Sequence, residues 1–295
     1  MSYTKTSAYF YSQGNRVSAN LFTPNREGKK PAILLVAPQA GVKEQTVDLY
    51  AKELAASGYV CMTFDHTSFG DSEGAPRFNE NPFSKVEDIA EAVTYLQGND
   101  HVDKAEIYGL GICSGGGYLA YAAATDRRIK AVATVSAFFD HRGFYHRVFG
   151  REGVLDLLKN VNEARGIYLK TGVINYLPHA PEEDSEDMSP LFREFYDYYM
   201  TPRGIKGKYE SKFLPWSFEK LLQFSALDIA SYLTPTPLLM MVGSEAGSAY
   251  ESENMYAAAS EPKELKVIQG ANHVDLYDQS SYVSEAAVLI ANHFK

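Results

Sequence analysis

The chain has 295 residues, 45% of them hydrophobic and 22% charged, with a formal net charge of −9. Those proportions fit an ordinary globular protein with ample chain for a buried core. They exclude the basic stripe of a nucleic-acid binder, and no run of about 18 apolar residues is present to span a bilayer.

In chain order, Ala8-Tyr9-Phe10-Tyr11 and Val17-Ser18-Ala19-Asn20-Leu21 alternate around Ser12-Gln13-Gly14-Asn15, which predicts an antiparallel hairpin at a sheet edge. The apolar run Pro31–Ala37 reads as a buried parallel strand. The loop Pro38-Gln39-Ala40-Gly41-Val42-Lys43 then leads to a helix with Val47, Tyr50, Ala51, Leu54 and Ala55 at helical spacing, stopped by Gly58. A second strand, Tyr59–Phe64, ends at Asp65 and a glycine-containing loop, and a helix over Val86–Leu96 follows. A third strand, Ala105–Gly109, runs into a tight turn and an alanine-rich helix, and a fourth spans Ala131–Val135. Strands alternating with helices at this spacing predict an α/β fold: a mostly parallel sheet with helices on both faces.

After Phe138-Phe139-Asp140 the alternation breaks for about 90 residues rich in Tyr, Phe, Arg and acidic side chains. It resumes at Pro237–Val242, continues through Leu265–Ile268 and closes with a helix over Val283–Phe294. Both flanks belong to one sheet, so the break reads as an inserted helical cap over 141–230 on a core made of 1–140 and 231–295. No internal repeat or low-complexity linker is present.

The segment with the most chemical content is Gly111-Ile112-Cys113-Ser114-Gly115, between the third strand and the alanine-rich helix. Small residues two before and two after the central position let the backbone turn tightly, so the central side chain stands exposed above the sheet: a nucleophile elbow. A glycine turn that only packs closely, or one that binds phosphate, has the same letters. The strand–turn–helix context favours the nucleophile. Cys113 fits the central position better than Ser114, which would leave bulky Ile112 where a small residue is needed. At the start of the following helix, unpaired N–H groups and the helix dipole favour a thiolate. The backbone N–H of Ser114 is the natural first oxyanion donor. The second would come from the Pro38–Gly41 loop, where proline has no N–H, leaving Gln39 or Ala40.

A cysteine nucleophile wants a histidine base oriented by a carboxylate. Of the seven histidines, His273 lies just past the last apolar strand, at the sheet end where the elbow also lies. His293 reads as solvent-facing, His101 as a surface turn, and His66 as a weak pocket candidate. His141, His146 and His179 fall in the insertion, where they could at most touch substrate. For the acid, Glu245 follows the strand before His273 and gives the chain order Cys113, Glu245, His273. Asp140, at the end of the preceding strand, is the alternative, and Asp275 and Asp278 read as loop or helix caps. Of the two cysteines, Cys61 lies inside a strand and reads as an inert small hydrophobe, although a disulfide is open on count alone.

The chain resembles the α/β-hydrolase superfamily, and within it the dienelactone-hydrolase branch, whose elbow also carries cysteine. The likeness is closer still to a group of largely uncharacterised bacterial hydrolases. It runs through Gln45-Thr46, Tyr50–Ala55, Phe64-Asp65, Gly70-Asp71-Ser72, Val86-Glu87-Asp88, Gly111-Ile112-Cys113, Arg128–Ser136, Tyr196–Gly204 and Pro262–Leu265. The resemblance implies the α/β-hydrolase fold and a Cys-His-acid triad, while Glu245 stands where many members carry aspartate. It says little about substrate.

Taken together, the expectation is a cytoplasmic hydrolase of activated esters, lactones or thioesters that works through a covalent acyl-enzyme. A lyase, cyclase or acyltransferase, or a non-catalytic binding protein, is the alternative. The polar start Ser2–Thr6 argues against a secretory signal. The cap should roof a pocket lined by Phe138, Phe139, Tyr145 and Tyr199, with Phe144, Phe149, Tyr196, Tyr198 and Trp216 nearby in the sequence. Arg147 and Arg203 are candidates for a substrate carboxylate. No cofactor is expected, and no His, Cys and carboxylate cluster has metal-ligand spacing. The expected partner is a small-molecule substrate, without nucleic acid or membrane, and a homodimer is left open.

Overall fold

A computed structural model describes residues 1–295. The strands are β1 (Tyr3–Ser12), β2 (Asn15–Pro24), β3 (Lys30–Val36), β4 (Val60–Phe64), β5 (Val102–Ile112), β6 (Ile129–Val135), β7 (Leu238–Gly243) and β8 (Lys263–Ile268). They form one sheet in the order β1-β2-β4-β3-β5-β6-β7-β8. The β1–β2 hairpin pairs antiparallel with β4, and every pair from β4 to β8 is parallel. The mostly parallel sheet is the one the strand–helix pattern predicts, and its architecture is the α/β-hydrolase fold that the family resemblance implies.

Successive residues of the central strands serve two cores. Ile33 and Leu35 pack on one face, and Ala32, Leu34 and Val36 on the other. Helices α1 (Thr46–Ala56), α2 (Pro82–Gly98) and α3 (Ser114–Thr125) connect the first parallel strands. Both faces are therefore covered, and the strands read as continuous apolar runs rather than alternating ones. Cys61 is fully buried, and neither cysteine is in a disulfide. His293, expected at the surface, instead sets its Nε2 3.1 Å from the Val132 carbonyl.

Between β6 and β7 lie α4 (His141–Thr171), bent at Gly150 where φ is +65°, then α5 (Pro190–Tyr199), a short α6 (Phe218–Leu221) and a 3-10 segment over Ala226–Leu233. Phe224, Ala226, Ala230 and Leu233 share a core with α3 and the sheet. The chain is thus back in the sheet core from Phe224 onward. After β7 come α7 (Ala249–Ala258), α8 (Asp275–Asp278) and α9 (Ser280–His293).

The strand order positions the site. From β3 the chain crosses to β4 on one side, and β5 then takes the other side of β3. The crevice between the carboxyl ends of β3 and β5 is the topological switch point where such sheets gather their functional loops. Val36 at the end of β3 pairs with Gly111 of β5, and Ile112 pairs with Val135 of β6. The loops carrying Gln39, Cys113 and Phe138 therefore emerge side by side.

No helix is long and apolar enough to cross a membrane.

Candidate active site

Cys113 sits between β5 and α3 with φ +55° and ψ −129°, a strained conformation for a residue with a Cβ. The flanking glycines make it attainable. A Cβ on Gly111 would lie 2.5 Å from the Gly115 carbonyl oxygen, and one on Gly115 would lie 2.4 Å from the Val36 and Ala37 oxygens. The Cys113 N–H is held by the Val135 carbonyl, and its own carbonyl accepts from Gly116 and Phe138.

The loop after β3 spends its amides in a fixed pattern. Ala40 N–H donates to Glu80 Oε2 at 2.9 Å, Gly41 N–H to the Pro38 carbonyl, Val42 N–H to Gln45 and Lys43 N–H to Asp65. The Gln39 N–H is left facing the Cys113 thiol, as is the Ser114 N–H. Of the two expected donors in this loop, Ala40 is therefore corrected: its amide belongs to Glu80, and only Gln39 presents one. Ala40 holds this geometry at φ +53°.

Glu80 is completely buried. Besides Ala40 it accepts from Tyr118 O–H at 2.8 Å and pairs with the equally buried Lys85 Nζ at 2.6 Å. Lys85 lies 4.5 Å from the Phe69 ring centroid, so aromatic faces surround the rest of its ammonium. The ion pair keeps the Glu80 carboxyl below its ordinary range despite its burial. An anion is thus available to fix the loop that presents Gln39. The sequence reading missed Glu80, because Glu80-Asn81-Pro82 looks like an ordinary helix start.

His273 is buried between β8 and α8. Its Nδ1 lies 2.5 Å from Ser248 Oγ and its Nε2 2.9 Å from Tyr277 O–H. Tyr277 lies beside the Cys113 thiol and favours its ionisation. Ser248, His273 and Tyr277 therefore form one hydrogen-bonded chain that ends next to the sulfur. The expected carboxylate partner is absent from it. Glu245 is exposed and accepts from Ser244 O–H, because the tight turn Gly243–Ala246 carries it outward before Ser248 reaches the ring. Asp140, the alternative, precedes α4 against Gly143, and its carboxylate makes no bond to His273. Tyr277, in the short α8, follows His273 by four residues, a spacing the sequence offers as a signal.

The insertion clamps this loop. Glu194 of α5 accepts the His273 N–H at 2.9 Å, and burial raises its carboxyl to about 7. Arg203 donates to the Val274 carbonyl and to Asp278, and also pairs with Asp197 and Asp275. Arg203 is thus committed to structure, and Arg147 stacks on Tyr250. Neither lies in the pocket.

Burial sets the protonation states. It pushes the Cys113 thiol up, against the neighbouring polar groups of Tyr277, Ser114 and Gln39, which favour the thiolate. It lowers His273 to about 3. At neutral pH the resting pair is a thiol and a neutral imidazole, so the thiolate expected from the helix N-terminus gives way to desolvation.

Cys113, Gln39 and Ser114 open onto a cavity of about 240 Å³, twelve of whose eighteen lining residues are hydrophobic. Phe138, Tyr145 and Tyr199 line it as expected, with Phe144 and Phe149. Phe139 does not: it is fully buried in the opposite core with α3, since the alternation after β6 turns it away. Trp216 packs against Tyr168 and Arg165 instead. Among the histidines, His141 and His179 line the cavity, whereas His66 is buried against Asp88, its Nδ1 3.0 Å from the carboxylate. No group of His, Cys, Asp and Glu is arranged to hold a metal.

Residues 13–165, more than half the chain, match the family model for X-Pro dipeptidyl-peptidase (S15 family). The chain belongs to this family of α/β hydrolases. The uncharacterised Escherichia coli protein YcjY is 37% identical over 268 residues, covering 90% of this chain and 88% of YcjY. The crystal structure of a hypothetical Pseudomonas aeruginosa protein superposes with TM-score 0.92 at 31% identity, over 99% of this chain and 93% of that one. The Penicillium polyketide transferase grgF is 27% identical over 266 residues, 86% of this chain and 84% of its own. Its crystal structure has TM-score 0.81, with 99% of both chains covered. A solved dienelactone hydrolase shares the fold alone.

Proposed function

We propose that this α/β hydrolase is a cysteine-dependent acyl-transfer enzyme that acts on an activated ester, lactone or thioester with a small, largely apolar acyl group. The observation that carries the reading is the Cys113 thiol, held at a strained elbow against the Gln39 and Ser114 N–H groups and opening on an apolar cavity.

In this reading the thiol proton passes to the Tyr277 oxygen as the Tyr277 proton passes to His273 Nε2. Ser248 Oγ accepts from the Nδ1–H of the resulting imidazolium. Sulfur attacks the acyl carbon, and the two N–H groups hold the oxyanion. The leaving group departs with the proton returned through Tyr277, and water then cleaves the thioester by the same relay. A thiolate is a good leaving group, so amides are poor substrates. A dipeptidyl-peptidase role is further disfavoured because no Asp or Glu lines the cavity to receive a peptide ammonium. Acyl transfer to a second nucleophile is the competing outcome, favoured by the name of the polyketide transferase relative and by the cavity's apolar walls.

The test is to mix the enzyme with p-nitrophenyl hexanoate or hexanoyl-N-acetylcysteamine, quench within a turnover, and weigh the intact protein. One hexanoyl adduct mapping to Cys113 is expected. An adduct elsewhere, or hydrolysis with no dependence on Cys113, overturns the assignment. Adding an amine or alcohol acceptor separates hydrolysis from transfer.

The relay makes its own prediction. Tyr277→Phe removes the hydroxyl between His273 and sulfur, and should lower kcat/KM about 100-fold, the low end of a general-base contribution. In wild type the rate should stay flat from pH 5 to 7, because burial keeps His273 neutral down to about 3. In Tyr277→Phe it should rise with pH as the thiol ionises unaided. A Tyr277→Phe enzyme with an unchanged pH profile would contradict the relay.

A further inference from the structure

One polar group in the cavity takes no part in this chemistry. His179 lies in the insertion between α4 and α5 and lines the cavity, but it is not among the groups that bond the Cys113 thiol. Its Nδ1 lies 3.1 Å from Tyr209 O–H. The ring stands edge-on to Tyr199, with centroids 4.6 Å apart, so it is held in one orientation.

The surrounding donors fix its tautomer. Ser211 Oγ accepts the backbone N–H groups of His179 and Ala180, at 3.2 and 3.4 Å. Toward an imidazole nitrogen a phenol hydroxyl is a better donor than acceptor, and Tyr209 O–H is the group that faces Nδ1. The Tyr209 proton then goes to His179 Nδ1, and the remaining ring proton sits on Nε2. That nitrogen has no partner in the protein and is not sealed from the cavity, unlike His141 Nδ1 and His66 Nε2. Burial lowers His179 to about 4, so the ring is neutral at physiological pH.

We infer that His179 Nε2–H is a neutral donor that selects acyl groups bearing a carbonyl or hydroxyl oxygen along the chain. A purely hydrocarbon cavity would accept a plain acyl chain. This one carries a fixed donor that an unfunctionalised chain leaves unpaired, and an unpaired buried donor is costly. Because the ring is neutral, a second carboxylate gains no charge pairing there, which separates oxo- and hydroxyacyl substrates from dicarboxylic ones. The inference rests on the acyl-transfer reading for its biological meaning, though the donor itself can be tested apart from it.

The experiment compares p-nitrophenyl hexanoate with its 3-, 4- and 5-oxo analogues. At least one oxo probe should be preferred about 5- to 10-fold in kcat/KM, the worth of one neutral hydrogen bond. His179→Phe should abolish that preference, bringing the oxo probes level with hexanoate in kcat/KM. Tyr209→Phe, which frees the tautomer, should weaken it, and His179→Gln, which keeps an N–H donor, should retain part of it. The same ratios should appear in binding, measured by calorimetry with the inert N-methyl amides of hexanoate and its oxo analogues. If no acyl adduct forms on Cys113 yet the oxo amides bind preferentially through His179, the function assignment fails and this inference stands. If no oxo probe is preferred by twofold in wild type, or the preference survives in His179→Phe, the inference is overturned.

Discussion

Cys113→Ala should lose acyl-ester turnover by a factor of about 10⁴ or more, the scale on which removal of a nucleophile acts, with an unchanged circular dichroism spectrum. Cys113→Ser is the more informative variant and should fall nearly as far, by about 10³. The reason lies at the other end of the relay. His273 is oriented by the Ser248 hydroxyl, with no carboxylate to stabilise an imidazolium. In a serine enzyme, losing that carboxylate costs about 10⁴ in kcat. A thiol, already far more acidic than an alcohol, tolerates the weaker base. Placing the missing charge should therefore help the serine variant selectively. Cys113→Ser/Ser248→Asp should recover tenfold or more over Cys113→Ser, while Ser248→Asp alone should change the thiol enzyme little. Steady-state kinetics on p-nitrophenyl hexanoate checks this. A Cys113→Ser enzyme as active as wild type would mean that sulfur has no special role.

That dependence explains why the sequence gives up some parts of the site and hides others. The elbow is legible because its requirements are local: glycines at 111 and 115, a strand before and a helix after. The parallel sheet is legible from runs such as Ile33–Val36, which are apolar on both faces. His273 could be singled out because a base belongs after the last strand. The acid could not, because its identity depends on which atom of a five-residue loop reaches Nδ1. A general rule about triads names a carboxylate, and Glu245 was the nearest one. The turn after β7 instead delivers Ser248, which by type alone is only a helix-start residue. Phe139 fails for a similar reason: adjacent aromatics after a strand face opposite layers, and the sequence does not say which faces the cavity. Glu80 and Lys85 were invisible because their partnership spans the start of α2 and makes sense only once the Ala40 amide is seen beside them.

Glu80 carries the second large effect. Glu80→Leu would strand the Lys85 ammonium in a fully buried site and leave Ala40 N–H and Tyr118 O–H without their acceptor. Breaking a buried ion pair from one side costs about 3–5 kcal/mol. At roughly 2–4 °C per kcal/mol for a chain of this size class, the melting midpoint should fall by about 10 °C. Lys85→Met should cost a similar amount, by leaving the carboxylate unpaired. The double variant Glu80→Gln/Lys85→Met should recover most of the loss, because it removes both charges and keeps an oxygen for Ala40. Differential scanning calorimetry on wild type, Glu80→Gln, Lys85→Met and Glu80→Gln/Lys85→Met gives the coupling of the pair directly, with Glu80→Leu measured alongside. The catalytic consequence separates positioning from mere stability. Below its melting transition Glu80→Leu should lose about 10² in kcat, the cost of misplacing one oxyanion donor, whereas the double variant should keep most of its kcat. If the Leu variant is destabilised but turns over at the wild-type rate, then the loop after β3 holds Gln39 in place without Glu80.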